Sequence, residues 1–287
     1  MTLFIAALVL ASALLHPVWN MLIKRAADPR LAFLCFTATL AACGLMHSLV
    51  TGENVLSALS IWPLILLSFA GQVLYGTCLS ATLERGDLSI YYPIIRASPV
   101  FVVCVGLLFL DRHYAALTLA GIGLVVVGGF LLQYRRGARF LDDPLTLGFA
   151  VLAMCGTGIY SIADEQIMKT IAPSVQMFWI ESLLIPIFFI RYVRQKNRQT
   201  EPLVTRLTPQ RISWLIFPGL IGYLSYILIL YAYKAGGEVA AVTSVRQASI
   251  PISVLLGGYF LNEKSLSRRL TASLVLALGI ILVATTG

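Results

Sequence analysis

"GQVLYGTCLSATLERGD" (residues 71–87) and "GYLSYILILYAYKAGGE" (residues 222–238) share one register at a constant offset of 151 residues. The offset pairs Gln72 with Tyr223, Tyr75 with Tyr226 and Gly86 with Gly237. It continues without a gap through Ala97-Ser98 and Ala248-Ser249, Gly106 and Gly257, Phe109-Leu110 and Phe260-Leu261, to Gly128 and Gly279. A second offset, 144, relates "LHPVWNMLIKRAADP" (residues 15–29) to "IYSIADEQIMKTIAP" (residues 159–173), and pairs Asn20 with Asp164 and Pro29 with Pro173. Duplication of this kind divides the chain into two parts, 1–137 and 145–287.

Each part is almost entirely apolar. The 287 residues are 59% hydrophobic and 12% charged, with a mean hydropathy of +0.87, whereas a soluble domain carries about 25% charged residues. Runs of roughly 20 apolar residues, the length that crosses a ~30 Å hydrocarbon core, recur throughout. Together with turn residues they predict ten membrane-spanning helices, at 2–24, 31–51, 58–83, 88–110, 114–133, 145–168, 174–194, 212–234, 239–261 and 266–286. The expected fold class is therefore an all-α integral membrane protein of two five-helix repeats. The connectors are short except for the polar stretch 191–211, and the first run reads as a membrane helix rather than a signal peptide.

Charge sets the orientation. Sixteen Lys and Arg fall in the loops after odd-numbered helices and three (Arg112, Lys169, Lys234) in the loops after even-numbered ones. Cytoplasmic loops carry the excess of positive charge, which puts both termini on the non-cytoplasmic side. With five helices per repeat, the two repeats enter the membrane in opposite senses, an arrangement used by secondary transporters. A pI near 9.4 follows from these loops and is no sign of nucleic-acid binding. Cys35, Cys43, Cys78, Cys104 and Cys155 lie in apolar segments without metal-ligand spacing, so neither a disulfide framework, a metal site nor a cofactor is implied. The sequence carries no signal for an oligomeric state.

Ten helices in two repeats of this size resemble the EamA-type members of the drug/metabolite transporter superfamily. The likeness is carried by "HPVWNMLIK" (16–24), by "FLNEKSL" (260–266) around Glu263, and by the glycine-bearing last helix. The first-helix pattern is also similar to a subgroup associated with phosphonate-utilisation gene clusters. The resemblance implies an inner-membrane carrier, often an exporter of small metabolites, with a cavity between its halves. One departure is "FLDR" (109–112), where Arg112 stands in place of the acid of "FLNE".

Arginines mark the candidate binding site. Arg96 lies mid-helix in "YYPIIRASP", between Pro93 and Pro99, and Arg246 in "VTSVRQASIP" sits at nearly the same depth in the related helix, before Gln247 and Pro251. A mid-membrane arginine costs about 2.5–3.5 kcal/mol on insertion scales, so each needs an acid, freed carbonyls or an anionic ligand. Salt bridges to Glu181 and Asp164 are one answer, and a solute bearing carboxylate, phosphate or phosphonate, the fork partners of guanidinium, is the other.

Around the arginines the candidate wall comprises His16, Trp19 and Asn20 on one helix face, Gln72 and Tyr75, Tyr92, Tyr160 and Asp164, and Tyr223 and Tyr226. Glu181, Asp164 and His16 are candidates for proton coupling. The glycines of "GIGLVVVGG" (121–129) read as helix-packing positions.

The expectation is a secondary transporter exporting a small polar metabolite, such as an amino acid, organic acid or phosphonate, by alternating access. A lipid-carrier flippase or a non-transporting membrane partner is the alternative. An intramembrane enzyme fits less well, because His16, His47 and His113, the chain's three histidines, lie in separate segments.

Overall fold

The computed structural model describes residues 1–26, 28–85, 88–133, 143–199, 209–252 and 266–286, and every regular element among them is helical. Capping groups start several of the helices. Thr2 accepts from the Ile5 N–H at the head of α1 (Leu3–Lys24), and Asp28 accepts from the Arg30 and Leu31 N–H groups at the head of α2 (Pro29–Val50), which satisfies donors that have no intrahelical partner. A 3₁₀ turn (Val55–Ile61) leads into α3 (Trp62–Arg85).

The segment 88–110, expected as one helix, is two: α4 (Leu88–Arg96) and α5 (Ser98–Phe109), interrupted at Ala97. Pro99 falls in the first turn of α5, where its missing N–H costs nothing, and it leaves the Ile95 carbonyl without a helical donor, which favours a break here. Then follow α6 (Ala116–Gln133), α7 (Pro144–Ile167, capped by Asp143), α8 (Pro173–Gln199), α9 (Pro209–Lys234), and α10 (Val239–Val245, capped by Glu238). The last of these runs into a 3₁₀ turn, Arg246–Ala248. Pro251 cannot donate to the Gln247 carbonyl, which accounts for tightened winding here. α11 (Leu266–Thr286) ends the chain.

Seven of these stretches are long and apolar enough to cross a membrane: Leu3–Ile23, Arg30–Val50, Val55–Thr82, Tyr91–Phe109 (α4 with α5), Pro144–Ile167, Pro173–Arg194 and Ile212–Lys234. Ala116–Leu132 and Thr271–Thr286 are shorter apolar helices. The boundary at 137, the end of the span 239–261, Gly86, Gly257, Glu263 and most of "FLNEKSL" lie outside the described residues.

Packing runs in pairs: α3 along α7, α6 along α11, α2 along α8 and α9, and α1 along α9. The α3–α7 contact depends on two glycines. A Cβ on Gly71 would stand 2.8 Å from the Tyr160 backbone nitrogen, and one on Gly156 would stand 2.6 Å from that of Tyr75. Backbones this close leave no room for any side chain. They also fix the relative height of Tyr75 and Tyr160, whose rings meet edge to face at 6.3 Å. Large apolar side chains such as Leu108, Phe109, Leu274 and Ile281 are exposed on the outer surface, as expected where lipid is the solvent.

Candidate functional site

Both helix interruptions open onto one central cavity of about 160 Å³. Its wall takes His16 and Trp19 from α1, Gln72 and Tyr75 from α3, Arg96 and Ser98 from either side of the first break, and Arg246 and Gln247 from the second. Tyr160 on α7, Glu181 on α8 and Tyr226 on α9 complete the polar lining. Arg96 is held from its own helix. Tyr92 lies one turn earlier on the same face, and its hydroxyl oxygen accepts from Arg96 Nε and Nη2 at 3.0 and 2.7 Å. Arg96 Nη2 also lies 3.4 Å from His16 Nε2. Arg246 is held differently, its guanidinium carbon 5.4 Å from the centroid of the Tyr226 ring, within cation–π range. Among the described residues neither arginine has an ion pair; those present are Arg112–Glu165, Arg112–Glu238 and Lys196–Asp28.

The two central acids are occupied unlike one another. Asp164 is fully buried behind the wall and accepts from Ser68 Oγ, Gln176 Nε2 and Tyr226 Oη. Of the three donors only Tyr226 lines the cavity, so Asp164 meets it through that residue, whose hydroxyl proton is thereby spent. Glu181 reaches the cavity wall with no hydrogen bond or ion pair among the described residues. Two further groups in the wall, Ser161 Oγ and Gln247 Oε1, are buried without a partner. Such atoms cost free energy unless water or a ligand meets them.

Of the residues expected from sequence, Asn20 and Tyr223 do not line this cavity. Tyr223 bonds His47 Nδ1 through its hydroxyl at 2.8 Å. Tyr92 stands behind Arg96 and Asp164 behind Tyr226, each one contact removed. Trp19 packs edge to face on His16 (4.9 Å) and against Phe36 (4.7 Å). Several wall residues were not among those expected for the site: Phe36, Leu40, Ile95, Ser98, Thr157, Ser161, Gly222, Ser225 and Thr243. Single Ser and Thr residues in apolar helices carry no signal, because each can bond its own preceding turn, as Thr243 Oγ1 does with the Val239 carbonyl at 2.7 Å. Among the described residues no group of three or more His, Cys, Asp or Glu could hold a metal ion. Two guanidinium groups, one open carboxylate and a ring of hydroxyls can bind and orient a small polar solute.

Comparison with known proteins agrees with this architecture. A solved crystal structure of another protein, 16% identical, superposes with a TM-score of 0.74 over 99% of this chain and 96% of that one, so the two share a fold. No curated protein matches the chain. Residues 3–134 match the model of the EamA-like transporter family, which makes this first part of the chain EamA-like and is consistent with a membrane transporter of the drug/metabolite transporter superfamily.

Proposed function

We propose that the chain is a secondary transporter of the inner membrane that exports a small polar metabolite with an acidic group by alternating access. It does so through ten spans in two inverted halves, 1–137 and 145–287, with both termini on the non-cytoplasmic side. The observation that carries this reading is the pair Arg96 and Arg246, facing one cavity with no acid paired to either. A carboxylate, phosphate or phosphonate supplies the charge that the wall withholds, and the tyrosines enclose the remainder of the solute. An amino acid, an organic acid and a phosphonate all meet that description. The packing supports the two-half arrangement: exchanging the halves returns α2–α8 and α6–α11 to themselves and converts α3–α7 into α9–α1. Glu181, unpartnered in the wall, is the leading group for proton coupling, ahead of Asp164, whose oxygens are engaged.

Efflux and uptake of labelled amino acids, organic acids and phosphonates in vesicles of known orientation test the proposal. At least one acidic solute is expected to move, and Arg246→Ala is expected to slow it sharply; transport at the unmodified rate by that variant sinks the anion site. Glu181→Gln is expected to abolish accumulation driven by a pH gradient while counterflow exchange continues. Accumulation that persists in this variant removes Glu181 from the coupling role.

A further inference from the structure

Beyond the cavity, at the end of the bundle formed by residues 110–115 and 234–238, lies a second cluster of charges. Arg112 sits in the turn between α5 and α6. Its two terminal nitrogens fork onto both oxygens of Glu165 on α7, and Nη1 also donates to Glu238 Oε1 at 2.6 Å. Glu238 is at the same time the N-cap of α10, accepting from the Ala241 N–H at 3.0 Å. One guanidinium thus ties residues of the first half to two helices of the second.

The turn is built to present it. Asp111 has φ +47°, the one left-handed non-glycine residue among those described, a conformation that Asp tolerates better than most. The Arg112 N–H folds back onto the Gly106 carbonyl at 3.0 Å. Tyr114 packs its phenol against Gly106, where a Cβ would come within 2.3 Å of the hydroxyl, and donates to Glu238 at 3.4 Å. Burial and the neighbouring Glu238 carboxylate push the Tyr114 phenol up to about 12, so it stays a donor.

This cluster lies over the cavity. Glu165 is one helical turn beyond Ser161, a wall residue. Glu238 is eight residues before Arg246, about 12 Å along a helix. Between the two levels Leu230, Val239 and Val242 are all at most 1% exposed, a closely packed apolar layer. Above that layer the cluster is partly wet: the Arg112 and Glu238 side chains are 18% and 34% exposed, that of Glu165 9%. On the exposed side, Arg112–Glu238, a charge can exchange its partner for water at small cost, whereas Glu165 is held more firmly by its burial. We propose that Arg112 is the gate residue at this end of the transport path, a latch that closes the cavity by holding Glu165 and Glu238 together and releases when the halves part. The idea rests on the reading of the cavity as that path.

Testing it requires no identified solute. In a background with the five native cysteines replaced, Ser161→Cys places one thiol in the cavity wall. A membrane-impermeant methanethiosulfonate reagent is added from the 110–115 side of oriented vesicles. Labelling is expected to be slow with Arg112 intact and at least tenfold faster in Arg112→Gln. The double variant Glu165→Gln, Glu238→Gln, which keeps the arginine and removes both its partners, should rise equally, while Arg112→Lys should stay within threefold of the parent. Parent-rate labelling in both the Gln variant and the double variant, each shown monodisperse in detergent, overturns the latch. Because this readout is a labelling rate, it fails or stands independently of the solute measurements above.

Discussion

Arg112 and Arg246 are related through Glu238, the partner of one and the helix cap eight residues before the other, yet the protein treats them in opposite ways. Arg112 faces two carboxylates, more negative charge than it needs. Arg246 has a tyrosine ring, and Arg96 a phenol oxygen. A cation over an aromatic ring recovers about 0.5–2 kcal/mol, less than the roughly 2.5–3.5 kcal/mol that a mid-membrane arginine costs. The central arginines therefore hold unspent charge, and the rim arginine does not. Compensated charge fastens a structure, and uncompensated charge facing a cavity waits for a ligand.

Opposite changes in stability are the largest expected consequence. Arg112→Met strands two carboxylates, one of them nearly buried, and breaking such a pair from one side costs about 3–5 kcal/mol when fully buried. The partial exposure here puts the loss at the lower end. Arg246→Met and Arg96→Met remove charges that had no ion-pair partner and should leave unfolding in mixed micelles unchanged or raise its midpoint. A loss at Arg246 equal to that at Arg112 erases the distinction, for it means Arg246 is part of the scaffold.

Transport comes next in size and runs the other way. A hydrogen bond to a charged group contributes about 1.5–3 kcal/mol, so Arg246→Ala should lower kcat/KM for an acidic solute roughly ten- to a hundredfold. Arg96→Ala should have a comparable effect, and Arg246→Lys, a point charge without the fork, an intermediate one. Solutes lacking the acidic group should be affected far less, and equal losses for both kinds would show that the arginines shape the cavity rather than read the anion.

How much of this contrast could be read before the fold was known depends on range along the chain. The repeat register and the proline-flanked arginines are local features, and they led to residues that share a cavity. The helix breaks follow from the same prolines, although a hydropathy window joins α4 to α5 because it averages over Ala97. The rim cluster was illegible. Arg112 and Glu165 are separated by 53 residues and Arg112 and Glu238 by 126, and each acid stands at an ordinary-looking helix end. "ADEQ" (163–166) reads equally well as a solvated helix end, yet Asp164 is fully buried and Glu165 is 7% exposed. Their roles split by helical rotation: adjacent residues point about 100° apart, one into a three-donor socket and the other out to Arg112.

The smallest expected effects separate the two tyrosines. Tyr226 and Tyr92 each serve an arginine, but their hydroxyls are committed differently, Tyr226 Oη donating to Asp164 and Tyr92 Oη accepting from Arg96. Tyr226→Phe keeps the ring beneath Arg246 and deprives Asp164 of one of three donors, which should cost about 1–2 kcal/mol of stability with KM within threefold of the parent. Tyr92→Phe removes an acceptor from Arg96 and strands no acid. Stability should hold while KM for the acidic solute rises a few-fold, because the guanidinium loses its anchor and meets the solute from several rotamers. The reverse pattern, KM tracking Tyr226 and stability tracking Tyr92, would mean that Asp164 communicates with the solute through the Tyr226 hydroxyl. The division between scaffold and binding surface would then have to be moved one layer inward.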